Sequence, residues 1–475
     1  MVAVFACAGV LTLLGSTAAS AQQRAQPVFR DGQAQIVEAF ADPDSWIREE
    51  LWVEASFDSD DDGKPDRLHV GVVRPAQTET EGLQVPVIYE SSPYFSGTSG
   101  QRQYLWDVRQ EVGVGPPPRQ NQPAIEARLR ERGWSSLVSD WVPRGFAVVH
   151  SEAPGTGLSQ GCPTIGGPIE AQAPKAVIDW LNGRAKGFTS PYGDEEVTAG
   201  WATGKVGMTG TSYNGTIPVA AASTGVAGLE AIIPIAPNTS YYRYYRANGL
   251  VRHPGGWLGE DIDFLYDFVN SGNPERRDYC NATIRDGEMA DGMDRVSGDY
   301  NDFWAGRDLL REVDNIKAAT LMAHVFNDTN VTPELAEPVH LSGWSRITLR
   351  VASSKPAANL SVYLVSLPWI EGGRNPRGGV VTRGWMDPQN HSSLTDGEPL
   401  VPGRFYDLSF NLQPDDEIIP AGQQIGLMIF SSDRDFTLWP TPGTELTVEL
   451  DATSIELPVV GGAAALLRSF GQGGS

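Results

Sequence analysis

What most constrains this chain is a change of hydrophobic period near Glu337. Before it, apolar residues come as short unbroken runs: Val85 to Tyr89, Phe146 to His150, Val206 to Met208, Leu229 to Ile235 and Thr320 to Phe326. Strands buried on both faces read this way. Between them Ile169 to Arg184 carries Ala173, Val177, Ile178 and Leu181 on one helical face. Strands alternating with helices predict an α/β domain around a doubly wound, mostly parallel sheet. After Glu337 the period is two: Ile347, Leu349 and Val351; Leu360, Val362 and Leu364; Tyr406, Leu408 and Phe410; Ile425, Leu427 and Ile429; Leu446, Val448 and Leu450. With Pro- and Gly-rich turns and no helical pattern, that alternation predicts an all-β sandwich. The expected domains are 22–336 and 337–460, with a helical insertion at about 248–314 and a frayed tail over 461–475.

Within the α/β part, GKVGMTGTSYNGTIPVAAAS (Gly204 to Ser223) runs from a strand through a glycine and a serine into a small-residue helix. Such a corner pushes the Ser212 hydroxyl out of the backbone, where a substrate can reach it, and glycines make room for the bend. An ordinary βα turn uses the same residue types. A sheet of this kind binds ligands beyond the carboxyl ends of its strands, which favours the nucleophile. A serine nucleophile also needs a base and an orienting acid, and on this fold the acid follows the serine in the chain. Asp328, at the turn ending LMAHVFNDTNV, stands where the acid is expected.

The net charge of −23 excludes a nucleic-acid partner, which would require a basic face. Residues 1–21 read as a secretory signal peptide, though no Lys or Arg precedes the apolar run, and no later stretch is long enough to span a membrane. The expectation is a secreted or extracytoplasmic protein. Cys7 would leave with the signal, so Cys162 and Cys280 are the pair available for a disulfide. No Cys/His cluster has zinc spacing, and no cofactor or metal is expected. In the hairpin loop DSDDDGKP, Asp58, Asp60, Asp62 and Asp66 with Gly63 follow the first nine positions of a calcium loop. His69 stands at the twelfth position, where a bidentate Glu belongs, so a solvated acidic turn is the favoured reading.

GTSYNG places its second glycine one residue later than G-x-S-x-G, and this form resembles the Xaa-Pro dipeptidyl-peptidase family, whose relatives include cocaine-esterase-type and α-amino-acid ester hydrolases. SSPYFSG (Ser91 to Gly97), SEAPGTGLSQG (Ser151 to Gly161), the GEDIDFL run from Gly259, HVFND, WMDPQNHSSLT and DRDFTLWPTPG are similar to further family segments. The resemblance implies an α/β-hydrolase domain followed by a jelly roll, and a peptide substrate with penultimate proline. It implies Ser212 as nucleophile, Asp328 as triad acid, and the Tyr213 amide and Tyr94 phenol as oxyanion donors. Glu260 and Asp261 are candidates to hold the substrate's α-ammonium.

One departure matters. Family members carry the catalytic His, with the last sheet strand and helix, between the acid and the jelly roll. Here Asp328 and Pro338 are ten residues apart, too few for a crossover. Of the histidines after Asp328, His340 and His391 both fall in the jelly-roll part, His340 being a weak candidate for the base. An impaired dipeptidyl-peptidase is therefore expected. Alternatives are an ester or amide hydrolase of the relatives' type, and a non-catalytic secreted protein that binds through its jelly roll.

Overall fold

The computed structural model describes residues 24–98, 106–107, 109–119, 136–253, 259–321, 335–367, 379–421 and 423–469. The acidic hairpin forms as read, with β1 (Ile47–Glu54) antiparallel to β2 (Arg67–Arg74) and Glu54 opposite Arg67. The apolar runs become β3 (Val85–Ser92), β4 (Ala147–Glu152), β7 (Ala202–Thr211) and β8 (Leu229–Ile235). Two-residue strands β5 (Gly187–Phe188), β6 (Glu196–Val197) and β9 (Ala319–Thr320) complete a nine-stranded sheet, in the order β9-β8-β7-β3-β4-β2-β1-β5-β6. The block from β4 to β9 is parallel. Val70, Val72, Val87, Val149 and Val206 are buried in the sheet, as unbroken apolar runs require.

Helices α1 (Pro168–Leu181) and α2 (Tyr213–Ser223) pack against each other and the sheet. The region read as an insertion is helical, with α3 (Ile262–Val269) and then Arg277–Cys280 leading into a π-helical Asn281–Met289. The Cys162–Cys280 disulfide ties this insertion to the loop after β4, with Cα atoms 5.4 Å apart.

The described strands of the C-terminal part pair antiparallel. Its strands are β10 (Leu335–Gly343), β11 (Arg346–Ser353), β12 (Leu360–Leu367), β13 (Val380–Met386), β14 (Phe405–Asn411), β15 (Asp415–Ala421), β16 (Gln424–Phe430) and β17 (Leu446–Glu456). They pair as β14-β11-β17, β13-β12-β16 and β10-β15, and the alternating residues Ile347, Leu349, Val362, Leu364, Leu408 and Phe410 meet in one core.

Two expectations are corrected. The tail is not frayed over its first part: Gly462–Ser469 forms α4, because Ala and Leu are strong helix formers and Leu466 packs on the second core. The acidic turn is not simply solvated either, for Asp60 and Asp66 are each only 2% exposed.

The two domains meet along the insertion. The His253 N–H donates to the Phe436 carbonyl (2.7 Å), Trp439 exchanges backbone bonds with Gln110 and Val112, and the Asn248 amide donates to the Trp385 carbonyl (2.8 Å). Val112, Leu250, Val251, Trp385 and Leu438 form a shared apolar cluster, with the Arg252 guanidinium 4.8 Å from the Trp385 ring.

Candidate active site

Ser212 follows the last residue of β7 and precedes the first of α2, with φ 61° and ψ −122°. A non-glycine residue there is strained, at a cost of about 1–3 kcal/mol, and persists only where its surroundings impose it. The surroundings do. The Ser212 N–H bonds to the Ile235 carbonyl of β8, and the Ser212 carbonyl accepts from Gly215 and Thr216. A Cβ on Gly215 would lie 2.5 Å from the Ile235 oxygen and 2.8 Å from the Gly210 oxygen. A Cβ on Gly210 would collide with the Asn214 backbone. The late glycine of GTSYNG is thus required by the close approach of α2 to β8. Ser212 itself is exposed.

The corner presents other groups. Tyr213 opens α2, and its N–H has no acceptor among the described residues, as first-turn amides of a helix commonly lack one. Its side chain turns inward, where the phenol donates to Glu170 Oε2 (2.5 Å) on α1. Burial pushes the Glu170 carboxyl above its ordinary range. Asn214 donates to Glu90 Oε1 on β3 (3.0 Å), pinning the first turn of α2 to the sheet.

Tyr94 lies two residues beyond β3, the strand beside β7, so both residues emerge at the carboxyl edge of the parallel block. Its ring packs edge-on against Tyr213 (5.9 Å between centroids) and against Phe268 of α3 (6.1 Å). Its hydroxyl has no partner among the described residues. Burial, then Tyr244, Glu170 and Glu260, raise its pKa above the ordinary value, so the phenol keeps its proton and remains a donor. The loop carrying it is held by Glu152, which accepts from Ser96, His69 Nδ1 (3.0 Å) and the Leu158 N–H (2.7 Å). Sequence reading missed Glu152 and Glu170, whose partners are distant in the chain.

Glu260 and Asp261 differ sharply. Asp261 is fully buried and bonded to Arg246 (3.1 Å) and Arg295 (2.7 Å), and it caps α3 through the Ile262 N–H. Burial pushes its carboxyl up, but the two guanidinium groups outweigh this and hold it below the ordinary range. Its charge is therefore already neutralised within the protein. Glu260 is also buried but accepts from the Tyr245 hydroxyl (3.2 Å), and burial, with Asp261 and Asp263 adding to it, pushes its pKa up to about 8. Its charged form adds to the rise in the Tyr94 and Tyr244 pKa values, after burial.

Asp328 and the histidine of HVFND, His324, lie outside the described residues. The other histidines have neighbours of their own. His69 contacts Glu50 (2.8 Å) and Glu152; His150 lies edge-on to Phe95; His253 Nδ1 meets the Glu260 carbonyl (3.1 Å); His340 bonds Asp416 (2.6 Å); and His391 packs on Tyr406. His340 sits on β10, within the second domain. Two large cavities, of about 500 and 430 Å³, lie between the domains and along α2; Ser212 lines neither.

Comparison with known proteins follows the same division. Residues 62–340 match the X-Pro dipeptidyl-peptidase (S15 family), and residues 323–467 match the X-Pro dipeptidyl-peptidase C-terminal non-catalytic domain. A protein of Rhodopirellula baltica, provisionally named a Xaa-Pro dipeptidyl-peptidase, is 49% identical, covering 93% of this chain and 92% of its own. A Bacillus cereus protein of the same provisional name is 35% identical over 87% and 90%. The solved structure of an α-amino acid ester hydrolase shares the fold at TM-score 0.55 and 13% identity, covering 92% of this chain and all of that one. The Rhodopirellula alignment runs over 579 positions, whereas 93% of a 475-residue chain is about 440 residues. Well over a hundred positions of that relative therefore have no counterpart here.

Proposed function

Because this chain belongs to the X-Pro dipeptidyl-peptidase (S15) family of serine-type hydrolases, we propose that it is an exported exopeptidase releasing dipeptides with penultimate proline, through Ser212, with strongly reduced turnover. The observation that carries the reading is the strained, exposed Ser212 on a corner that Gly210 and Gly215 make possible. In this mechanism Ser212 Oγ attacks the carbonyl carbon of proline, and its proton passes to solvent water in place of the missing imidazole base. The Tyr213 N–H and Tyr94 O–H donate to the oxygen that becomes charged. The C–N bond breaks, the leaving peptide takes a proton, and water then releases the dipeptide from the serine. Glu260 receives the substrate's α-ammonium, while Asp261 holds α3 in place. Asp328 is the acid that would orient the base.

Reduced turnover rests on three supports. The two family matches overlap at 323–340, which leaves no stretch between them for the segment that carries the base. The Rhodopirellula relative has over a hundred positions without counterpart. Each described histidine has a contact partner other than Ser212. Losing the base costs about 10⁶ in turnover, and an oxyanion hole alone retains roughly 10³–10⁴ over water. Export is supported by the disulfide, which persists in oxidising compartments.

The test is hydrolysis of Ala-Pro-p-nitroanilide by purified protein and by Ser212→Ala. Slow release that the substitution abolishes is expected. Brisk turnover would refute the impairment, and turnover untouched by Ser212→Ala would refute the nucleophile. Hydrolysis of simple aryl esters in preference to the anilide would favour the esterase reading.

A further inference from the structure

The tip of the β1–β2 hairpin is built unlike a solvated turn. Carboxylate oxygens of Asp58, Asp60 and Asp66 all lie within 4.8 Å of one another. Two oxygens each about 2.4 Å from one ion are at most about 4.8 Å apart, so the three can share a cation of calcium's size. Asp60 and Asp66 are 98% buried, and Asp60 Oδ1 has no hydrogen-bond partner. An unpaired buried carboxylate oxygen is costly unless a cation is meant to meet it.

The surroundings fix this cluster on every side. Asp66 Oδ2 accepts from Ser59 N–H (3.0 Å) and Ser59 Oγ (2.5 Å), and Ser59 Oγ in turn accepts from the Cys162 N–H (2.8 Å). Asp60 Oδ2 accepts from Asn273, and the Asp60 carbonyl from Arg276. Asp58 accepts from the Asp62 and Gly63 amides, and Asp62 turns away to the Lys64 N–H (2.9 Å). Gly161 presses so close that a Cβ there would strike Asp66 and Ser59. Gly63, with φ 83°, makes the sharp turn at the sixth position of the loop. Arg276 is the cation that faces the cluster, and it spends its bond on the Asp60 carbonyl rather than on a carboxylate.

We propose that Asp58, Asp60 and Asp66 form a calcium site that clasps the hairpin, the glycine loop before Cys162 and the insertion around Asn273 together. Oxygen donors only, a carboxylate-rich loop and a glycine at the sixth position suit a hard divalent cation that tolerates irregular geometry.

The experiment compares thermal melting of the purified full chain in EGTA, in 1 mM calcium and in 1 mM magnesium, alongside a terbium luminescence titration. Calcium should raise Tm by about 3 °C or more over EGTA, magnesium by less, and terbium should saturate and be displaced by calcium. Asp60→Asn should lose both responses while melting no lower than the wild type in EGTA. Should Asp60→Asn not fold, Asp58→Asn, at the exposed position, serves the same purpose. Equal melting in calcium and EGTA without saturable terbium signal would overturn the site. So would a calcium shift that survives both substitutions, and an equal magnesium shift would overturn the assignment to calcium.

Discussion

At the scale of single residues, the corner at Ser212 opposes two needs. The backbone there would rest more easily on glycine, so Ser212→Gly should stabilise the fold by about 1 kcal/mol while removing the hydroxyl. Gly215→Ala should do the reverse. Its Cβ meets two backbone oxygens that cannot move independently of β7 and β8, and a loss of about 3 kcal/mol or more is expected. Urea melts of both variants measure the contrast. The place of Ser212 on a strand-to-helix corner was legible in the sequence because a local motif announces it. Glu170 and Glu152 were not. Glu170 meets Tyr213 from 43 residues away, and Glu152 meets His69 from 83, and no spacing rule encodes such pairs. The distinction between Glu260 and Asp261 was equally invisible, since it depends on Arg246 and Arg295 arriving from elsewhere in the insertion.

Among elements, the buried strands were readable because burial on both faces leaves an unbroken apolar run, and the hairpin because its loop is acidic. The run from Leu229 to Ile235 became β8 with the same ends. Strands β13 and β15 were missed, since VVTRGWM and DDEIIPA lack clean alternation. The run at Thr320 yields only Ala319–Thr320 before the described residues stop. Close by, Ile233 and Leu321 are 41% and 65% exposed. The disulfide joins elements in another way. It closes a loop of 118 residues, and such a constraint contributes about 2–5 kcal/mol by restricting the unfolded chain. A Cys162→Ser/Cys280→Ser variant should lose about that much in denaturant melts and should not respond to reductant, whereas the parent should.

For the molecule as a whole, acidity and burial together set the pH response. Burial, as the largest cause in each, raises Glu260 to about 8 and Asp66, Asp387 and Glu417 to about 7. These groups hold protons in the folded state that the unfolded chain releases above pH of about 4–5. Their contribution is complete below that range and is lost as pH rises through about 7–8. Tm should therefore fall between pH 5.5 and 8.5, and Glu260→Gln should flatten part of the decline; a Tm that rises over this range would contradict it. The seam between the domains has a consequence of another kind, in the order of manufacture. A ribosome delivers the insertion near residue 250 long before Trp385, Phe436 and Trp439, on which it rests. The half of the protein that carries the serine must then wait, unfinished, until nearly the whole chain has emerged. A message cut short before residue 439 yields no smaller version of this molecule, because its first domain is completed by its last.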